Sequence, residues 1–407
     1  MNKTSTAFYS LCSLSVFRGI LERSVVKGYY KLLKNVNSEP EEFLNAYGEF
    51  YSLLCERGVA GNLAYTLTEA ALFDENAFSL AAAGGDISAL PQNVIEAVMR
   101  DCGAIKLLCS LTPEDILNDC LYGEDMIGLE LPRWTMGEPA SAFSGEKLDL
   151  QRLAAFYREN GCGIFARYKA FVWRDGDIRP VEHPDSVDMD DFTGYERQRG
   201  KVVENTLAFI EGKSCNNCLL YGDMGTGKSS TVKAIANEFR SRGLRVVEMP
   251  KERLMDFPLL VDKIAALPMK FIIFIDDLSF RTQDESYTSL KAVLEGGLAA
   301  RPKNALIYAT SNRRHIIKES WADRDTDDIN RRDNMQESLS LSDRFGLAIC
   351  YTVPDKREFL EIVSALAEKS GLSLSADELA KKAERFALER GGRSPRCAKQ
   401  FVESLLV

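Results

Sequence analysis

Gly222-Asp223-Met224-Gly225-Thr226-Gly227-Lys228-Ser229, followed by Ser230, matches the pattern G-x-x-x-x-G-K-[ST] in full. Glycines at these positions let consecutive backbone N–H groups curl around an anion, so the whole run from Gly222 to Ser230 is a candidate phosphate cradle. Lys228 supplies a positive charge for terminal phosphates, and Ser229 has the hydroxyl to ligate Mg²⁺. Two other places carry compatible chemistry. Asp276-Asp277 ends the apolar run Phe271–Ile275, an arrangement in which the first acid holds Mg²⁺, directly or through water, and the second orients an attacking water. Thr310-Ser311-Asn312 ends Ala305–Thr310, and the Asn312 amide is placed to sense a γ-phosphate or hold that water.

These groups work together only if a scaffold brings three chain segments to one edge. Cys218–Tyr221 is a short apolar strand leading into the loop, and Val232, Ile235, Ala236 and Phe239 fall at i, i+3, i+4 and i+7 beyond it. That is the apolar face of a helix whose N-terminus points at the phosphates, with Gly243 ending it. Further apolar runs at 244–249, 271–275, 305–310 and 347–353 make five strands. Continuous apolar strands predict burial on both faces, hence an α/β fold with a parallel sheet, helices on each side and ligands at the strand carboxyl ends.

The 407 residues, 45% hydrophobic, suffice for two or three ordinary cores. A net charge of −9 gives no general attraction to nucleic acid or anionic membrane. No apolar run approaches the roughly 18 residues of a membrane span, and the sequence after Met1-Asn2-Lys3 lacks a signal-peptide core; a cytoplasmic protein with no membrane partner is expected. Cys215 and Cys218 have C-x-x-C spacing, but there is no second pair, and His183 and His315 are the only histidines. A zinc site would lack its other ligands, so the pair is expected to lead into the first strand.

Upstream of about residue 185, helical periodicity runs through 17–33, 43–54, 63–73 and 94–108, with turn signals at 83–86 and 131–132. The aromatic run Ile164–Trp173 reads as a strand, and the polar, acidic segment 174–191 with Pro180 and Pro184 reads as a linker. Tyr29, Tyr30, Tyr47 and Tyr51 suit core packing better than a partner-binding face. The expected division is a mostly helical region at 1–184, a nucleotide-binding α/β core at 185–354 and a helical lid at 355–407. Phe359, Ile362, Val363 and Leu366, then Leu379, Ala383 and Phe386, then Ala398, Phe401, Val402 and Leu405 mark the three lid helices.

The order phosphate loop, Asp276-Asp277, Thr310-Ser311-Asn312, Ser342-Asp343-Arg344-Phe345-Gly346 and Gly391-Gly392-Arg393 resembles an AAA+ ATPase throughout residues 186–407. Closer still, segments 193–198, 217–230, 276–280, 294–298, 308–315 and 339–346 resemble a bacterial family of AAA+ ATP-binding proteins described only as domain of unknown function 815. The resemblance implies ATP and Mg²⁺ as ligands and leaves the biological task open. It implies that Phe192-Thr193-Gly194-Tyr195 lies beside adenine, that Asn312 is sensor 1, that Arg344 is an arginine finger reaching a neighbouring subunit's ATP, and that Arg393 is the sensor-2 arginine, with Arg396 its rival. On spacing alone Arg344 would sit in a surface ion pair of little worth.

Many AAA+ proteins place glutamate where Asp277 stands. The shorter side chain retreats by about 1.5 Å, so slow turnover is expected. Residues 250–258 contain no aromatic-hydrophobic-glycine pore loop, which disfavours a protein-unfolding motor. The expected function is a slow Mg-ATPase that remodels or loads a partner through residues 1–184, acting as a homo-oligomer; Arg313, Arg314, Arg331 and Arg332 are a candidate nucleic-acid surface that the net charge does not indicate. The alternative is a nucleotide-gated binding switch with little or no hydrolysis.

Overall fold

The computed structural model describes residues 1–145, 148–281, 290, 294, 302–312, 317–318, 344–372 and 374–406. The chain forms two compact units, Met1–Arg167 and Tyr168–Val407. Among the described residues no helix is long and apolar enough to cross a membrane.

The first unit is helical, with its longer helices at Ser24–Lys34, Pro40–Glu56, Leu63–Leu72, Gln92–Cys109 and Leu150–Asn160. The periodic run expected from Phe17 is interrupted, because Arg23 is extended between a 3₁₀ turn at Arg18–Glu22 and the helix from Ser24. Tyr29 and Tyr47 are core residues: Tyr29 stacks on Phe50 at 5.1 Å, and Tyr47 packs on Trp134 at 5.3 Å. Gly163, at φ 56°, turns the chain so that Ile164–Arg167 is one helical turn burying Phe165 and Ala166.

The second unit is built on a seven-stranded sheet: β1 (Ala170–Arg174), β2 (Asp177–Pro180), β3 (Cys218–Gly222), β4 (Leu244–Glu248), β5 (Lys270–Ile275), β7 (Ala305–Ser311) and β9 (Leu347–Tyr351). A separate parallel pair joins β6 (Phe280–Arg281) to β8 (Ile317–Lys318). The order is β2-β1-β4-β5-β7-β3-β9, parallel except for the antiparallel β1–β2 hairpin. The five strands expected downstream are β3, β4, β5, β7 and β9; the count is seven because the aromatic run expected as a strand supplies β1 from Ala170 onward and the expected linker contains β2. Asp175 and Gly176 both have positive φ, 53° and 72°, which is the two-residue turn that matches the twist of paired strands. β1 then pairs with β4, so the division between units falls at 167/168 rather than at 184/185.

The β3, β4, β5 and β7 strands are buried on both faces, as their apolar runs predict. β9 alternates, with Ala348 and Cys350 exposed, because it is an edge strand. Cys218 lies wholly inside the sheet core, where burial pushes its thiol well up. The C-terminal helices Lys356–Lys369, Ala376–Glu389 and Pro395–Ser404 start at the side-chain caps Asp355, Ser375 and Ser394. They enclose their own core of Phe359, Ile362, Val363, Ala383, Phe401 and neighbours.

Candidate functional site

The phosphate loop is shaped by backbone that only glycine enters freely. Gly222, Gly225 and Gly227 have φ of 123°, 73° and 90°. A Cβ at Gly222 would stand 2.2 Å from the Tyr351 carbonyl oxygen, so this glycine is also required by the close approach of β9. The helix Lys228–Glu238 starts at Gly227 with no side-chain cap, leaving its first N–H groups directed at the loop. Thr226 Oγ1 donates to the Asp223 carbonyl at 2.8 Å and Thr231 Oγ1 to the Gly227 carbonyl at 2.9 Å, fixing the turn from inside. Lys228 is only 5% exposed, and its Nζ donates to the carbonyls of Gly222 at 3.1 Å and Asp223 at 2.6 Å. Burial pushes its ammonium below the ordinary lysine range against the opposing charges of Asp223, Asp277 and Asp276.

Pairing of β5 with β7 and of β7 with β3 brings the ends of these strands together. Ser229 Oγ donates to Asp276 Oδ1 at 2.6 Å, and Thr310 Oγ1 donates to the same oxygen at 2.5 Å. Asn312 Nδ2 donates to Asp277 Oδ1 at 2.7 Å. The Asp277 N–H donates to Thr310 Oγ1 at 3.0 Å, which holds Asp277 at φ 50°. Thus the two acids, the loop serine and the Asn312 amide are brought together. Thr310 is a positioning residue to which sequence reading gave no role of its own; its signal was a hydroxyl at the carboxyl end of β7, the strand paired directly with β5.

These groups line one end of a cavity of about 780 Å³. The rest of its wall includes Phe192, Thr193, Tyr195, Arg199, Ile362 and Leu366. Tyr195 sits at φ 60° before the helix Glu196–Ile210, stacks on Tyr351 at 5.3 Å and donates its hydroxyl to the Thr352 carbonyl at 2.7 Å. The segment 185–192 is fastened to the phosphate helix by Lys233, 3.2 Å from Asp185, and by Asn237 Nδ2, which donates to the Val187 carbonyl at 2.9 Å. Lys369 of the lid donates to the Asp190 carbonyl on the same segment. Arg199, Lys369 and Lys399 also face the cavity and were not singled out by motif.

The lid contributes Arg396 to the cavity, and its backbone N–H donates to the Gly225 carbonyl at 3.1 Å. Arg393 does not line it. Its Nε and Nη2 donate to the two oxygens of Glu384, each at 2.8 Å, which holds the Glu384 carboxyl below its usual range. Of the two arginines expected to compete for the sensor-2 position, Arg396 lines the cavity and Arg393 does not, because a bidentate partner on the adjoining lid helix turns Arg393 aside. Arg344 precedes β9 and lies outside the cavity, at the amino end of strands whose carboxyl ends carry the phosphate loop. Glu295, Arg313, Arg314, His315, Arg331, Arg332 and the segment 319–338 lie outside the described residues.

A parallel sheet with a phosphate loop after β3, adjacent acids after β5, a polar amide after β7 and a three-helix lid defines an AAA+ P-loop protein. The chain belongs to the family described as "Protein of unknown function (DUF815)", whose profile matches residues 166–407. Similar solved structures include a mutant of Thermotoga maritima RuvB, 16% identical over 53% of this chain and 64% of its own, with a TM-score of 0.37. The chain thus spans less than two thirds of that protein. The Thermotoga maritima RuvB Holliday junction branch migration motor is 15% identical over 54% of this chain and 72% of its own, with a TM-score of 0.32.

Proposed function

We propose that this protein binds ATP with Mg²⁺ and hydrolyses it slowly, coupling the cycle to the remodelling or loading of a partner. The reading is carried by the convergence of Lys228, Ser229, Asp276, Asp277 and Asn312 at one end of a cavity of about 780 Å³. The loop N–H groups and Lys228 would cradle the phosphates. Ser229 Oγ and the Asp276 carboxylate, 2.6 Å apart, form a hard oxygen donor pair that fits Mg²⁺. When bound there, the ion supplies charge neutralisation on the phosphates.

Asp277, with its carboxylate held by Asn312, orients the water that attacks the γ-phosphorus, and the bond to the β–γ bridging oxygen breaks to release ADP. Arg396 faces the phosphates from the lid. Arg344 acts on the site of a neighbouring copy, which makes the active form a homo-oligomer. The helical N-terminal unit is the partner-binding part, and the site of action is the cytoplasm. Steady-state phosphate release by the purified full chain, with Mg²⁺ and with or without added DNA, tests the reading; no release under conditions of tight ATP binding would sink the hydrolytic part.

One observation favours a second reading, a nucleotide-gated switch. The Val353 N–H donates to Asp223 Oδ2 at 2.7 Å and the Arg396 N–H to the Gly225 carbonyl at 3.1 Å, so the loop is fastened both to the segment that leads into the lid and to the last lid helix. Phosphate binding that shifts the loop would be passed to the lid without bond cleavage.

A further inference from the structure

The proposed nucleotide site has a feature at its second end that phosphate chemistry does not use. Arg199 lies one turn beyond Tyr195 on the helix Glu196–Ile210, and its side chain is only 12% exposed. Its guanidinium carbon lies 5.2 Å from the centroid of the Phe192 ring. That ring in turn reaches within 4.0 Å of where a Cβ on Gly227 would stand, so the Phe192–Arg199 pair borders the phosphate loop. Tyr195, Ile362 and Leu366 add apolar surface to the same cavity, whose lining also includes Asp191, Thr193 and Lys369.

A guanidinium has five N–H donors and no acceptor. Among the described residues its charged partner is Glu196, at 3.5 Å, a carboxylate whose side chain is 75% exposed and whose Oε1 also accepts from the Gly194 N–H at 2.8 Å. That long contact leaves most of the fork directed elsewhere. Burial also pushes the guanidinium below its ordinary range, in keeping with limited compensation by water.

We propose that Arg199 reads the base: its guanidinium donates to a ring-nitrogen acceptor of a purine that lies between the Phe192 side and the lid. This rests on the nucleotide reading of the cavity. A donor-only group cannot pair with the exocyclic amine of adenine, which leaves the ring nitrogens as its acceptors on that base. Arg199 is thus a specificity-determining residue that separates purines from analogues in which the acceptor is replaced by C–H.

The test titrates the full-length wild type and Arg199→Met with ATP, 1-deaza-ATP, 3-deaza-ATP and 7-deaza-ATP in the presence of Mg²⁺. At least one analogue is expected to bind wild type about tenfold or more weakly than ATP, and to bind Arg199→Met as well as ATP does. Normal ATP binding with no penalty for any analogue overturns this inference alone, as does a penalty that persists undiminished in Arg199→Met. Failure of wild type to bind any of the four nucleotides overturns the nucleotide reading and this inference with it. The wild-type comparison needs no variant, so it decides even if Arg199→Met does not fold.

Discussion

Asn312 holds the carboxylate of Asp277, its Nδ2 donating to Oδ1 across 2.7 Å, so the end of β7 fixes the acid at the end of β5. If that acid orients water, Asp277→Asn should lower turnover by about 10²-fold with ATP still bound, and Asn312→Ala should lower it by freeing the carboxylate. The two losses should not add in the double variant, because both remove one unit. A phosphate-release assay on the four proteins decides it; wild-type turnover in Asp277→Asn would mean that Asp277 is not the water-positioning acid.

Asp277→Glu should keep or raise turnover, since the longer side chain advances the carboxylate by about 1.5 Å. It should also lower the melting midpoint. Asp277 stands at φ 50°, a region that Asp visits more readily than Glu, and the added strain is on the order of 1 kcal/mol. Calorimetric melting beside steady-state kinetics checks both halves.

Lys228→Ala should abolish tight ATP binding while circular dichroism stays unchanged; unchanged affinity in isothermal titration would sink the phosphate-loop reading. Burial depresses the Lys228 ammonium below the ordinary 10.5, so the folded chain releases this proton at lower pH than the unfolded chain. The cost of burying the charge is therefore present below the folded value and is relieved as pH rises towards 10.5. ATP binding needs the charged form and should weaken over that same alkaline window, and Lys228→Ala should remove the pH dependence of stability attributable to this group.

Arg396→Ala and Arg393→Ala should separate ligand contact from lid structure. Arg396 faces the cavity, so its loss should weaken ATP binding or turnover at least several-fold. Arg393 is paired bidentately with Glu384 at a partly exposed position, and its loss should lower the melting midpoint only slightly with ATP affinity retained. The reverse pattern would return the lid role to Arg393.

Arg344 stands before β9, and the five residues of that strand carry the chain about 13 Å towards the edge that holds the phosphate loop. Arg344→Ala should reduce turnover by about 10²-fold with affinity nearly intact, and specific activity should rise with protein concentration. Mixing Arg344→Ala with Lys228→Ala should restore some activity, because mixed oligomers rebuild composite sites. Activity fixed at the sum of the two parents, where mixed oligomers are shown to form, would leave Arg344 with a structural role only.

Much of the core was legible because its signals are local. The glycines of the phosphate loop, the apolar runs of β3, β4, β5 and β7, and the apolar faces of the lid helices each act within a few residues of themselves. β1 was legible in the aromatic run that ends at Trp173, but its partner β2 was hidden in acidic composition, although Asp175-Gly176 is a hairpin turn, because a two-residue turn means little until two strands flank it. Ile164–Phe165 looked like strand but follows Gly163, whose positive φ redirects it into a helical turn.

The sequence by itself determined the phosphate loop, the acids of β5 and the amide of β7, since chemistry confined to a short run survives any arrangement of the remainder. Only the tertiary structure decided that Thr310 bonds Asp276, that Arg396 and not Arg393 meets the loop, and that Arg199 lines the cavity beside Phe192. Those pairings join segments far apart in the chain. Their distances are set by strand order and by where the lid docks, and no spacing along the sequence encodes either.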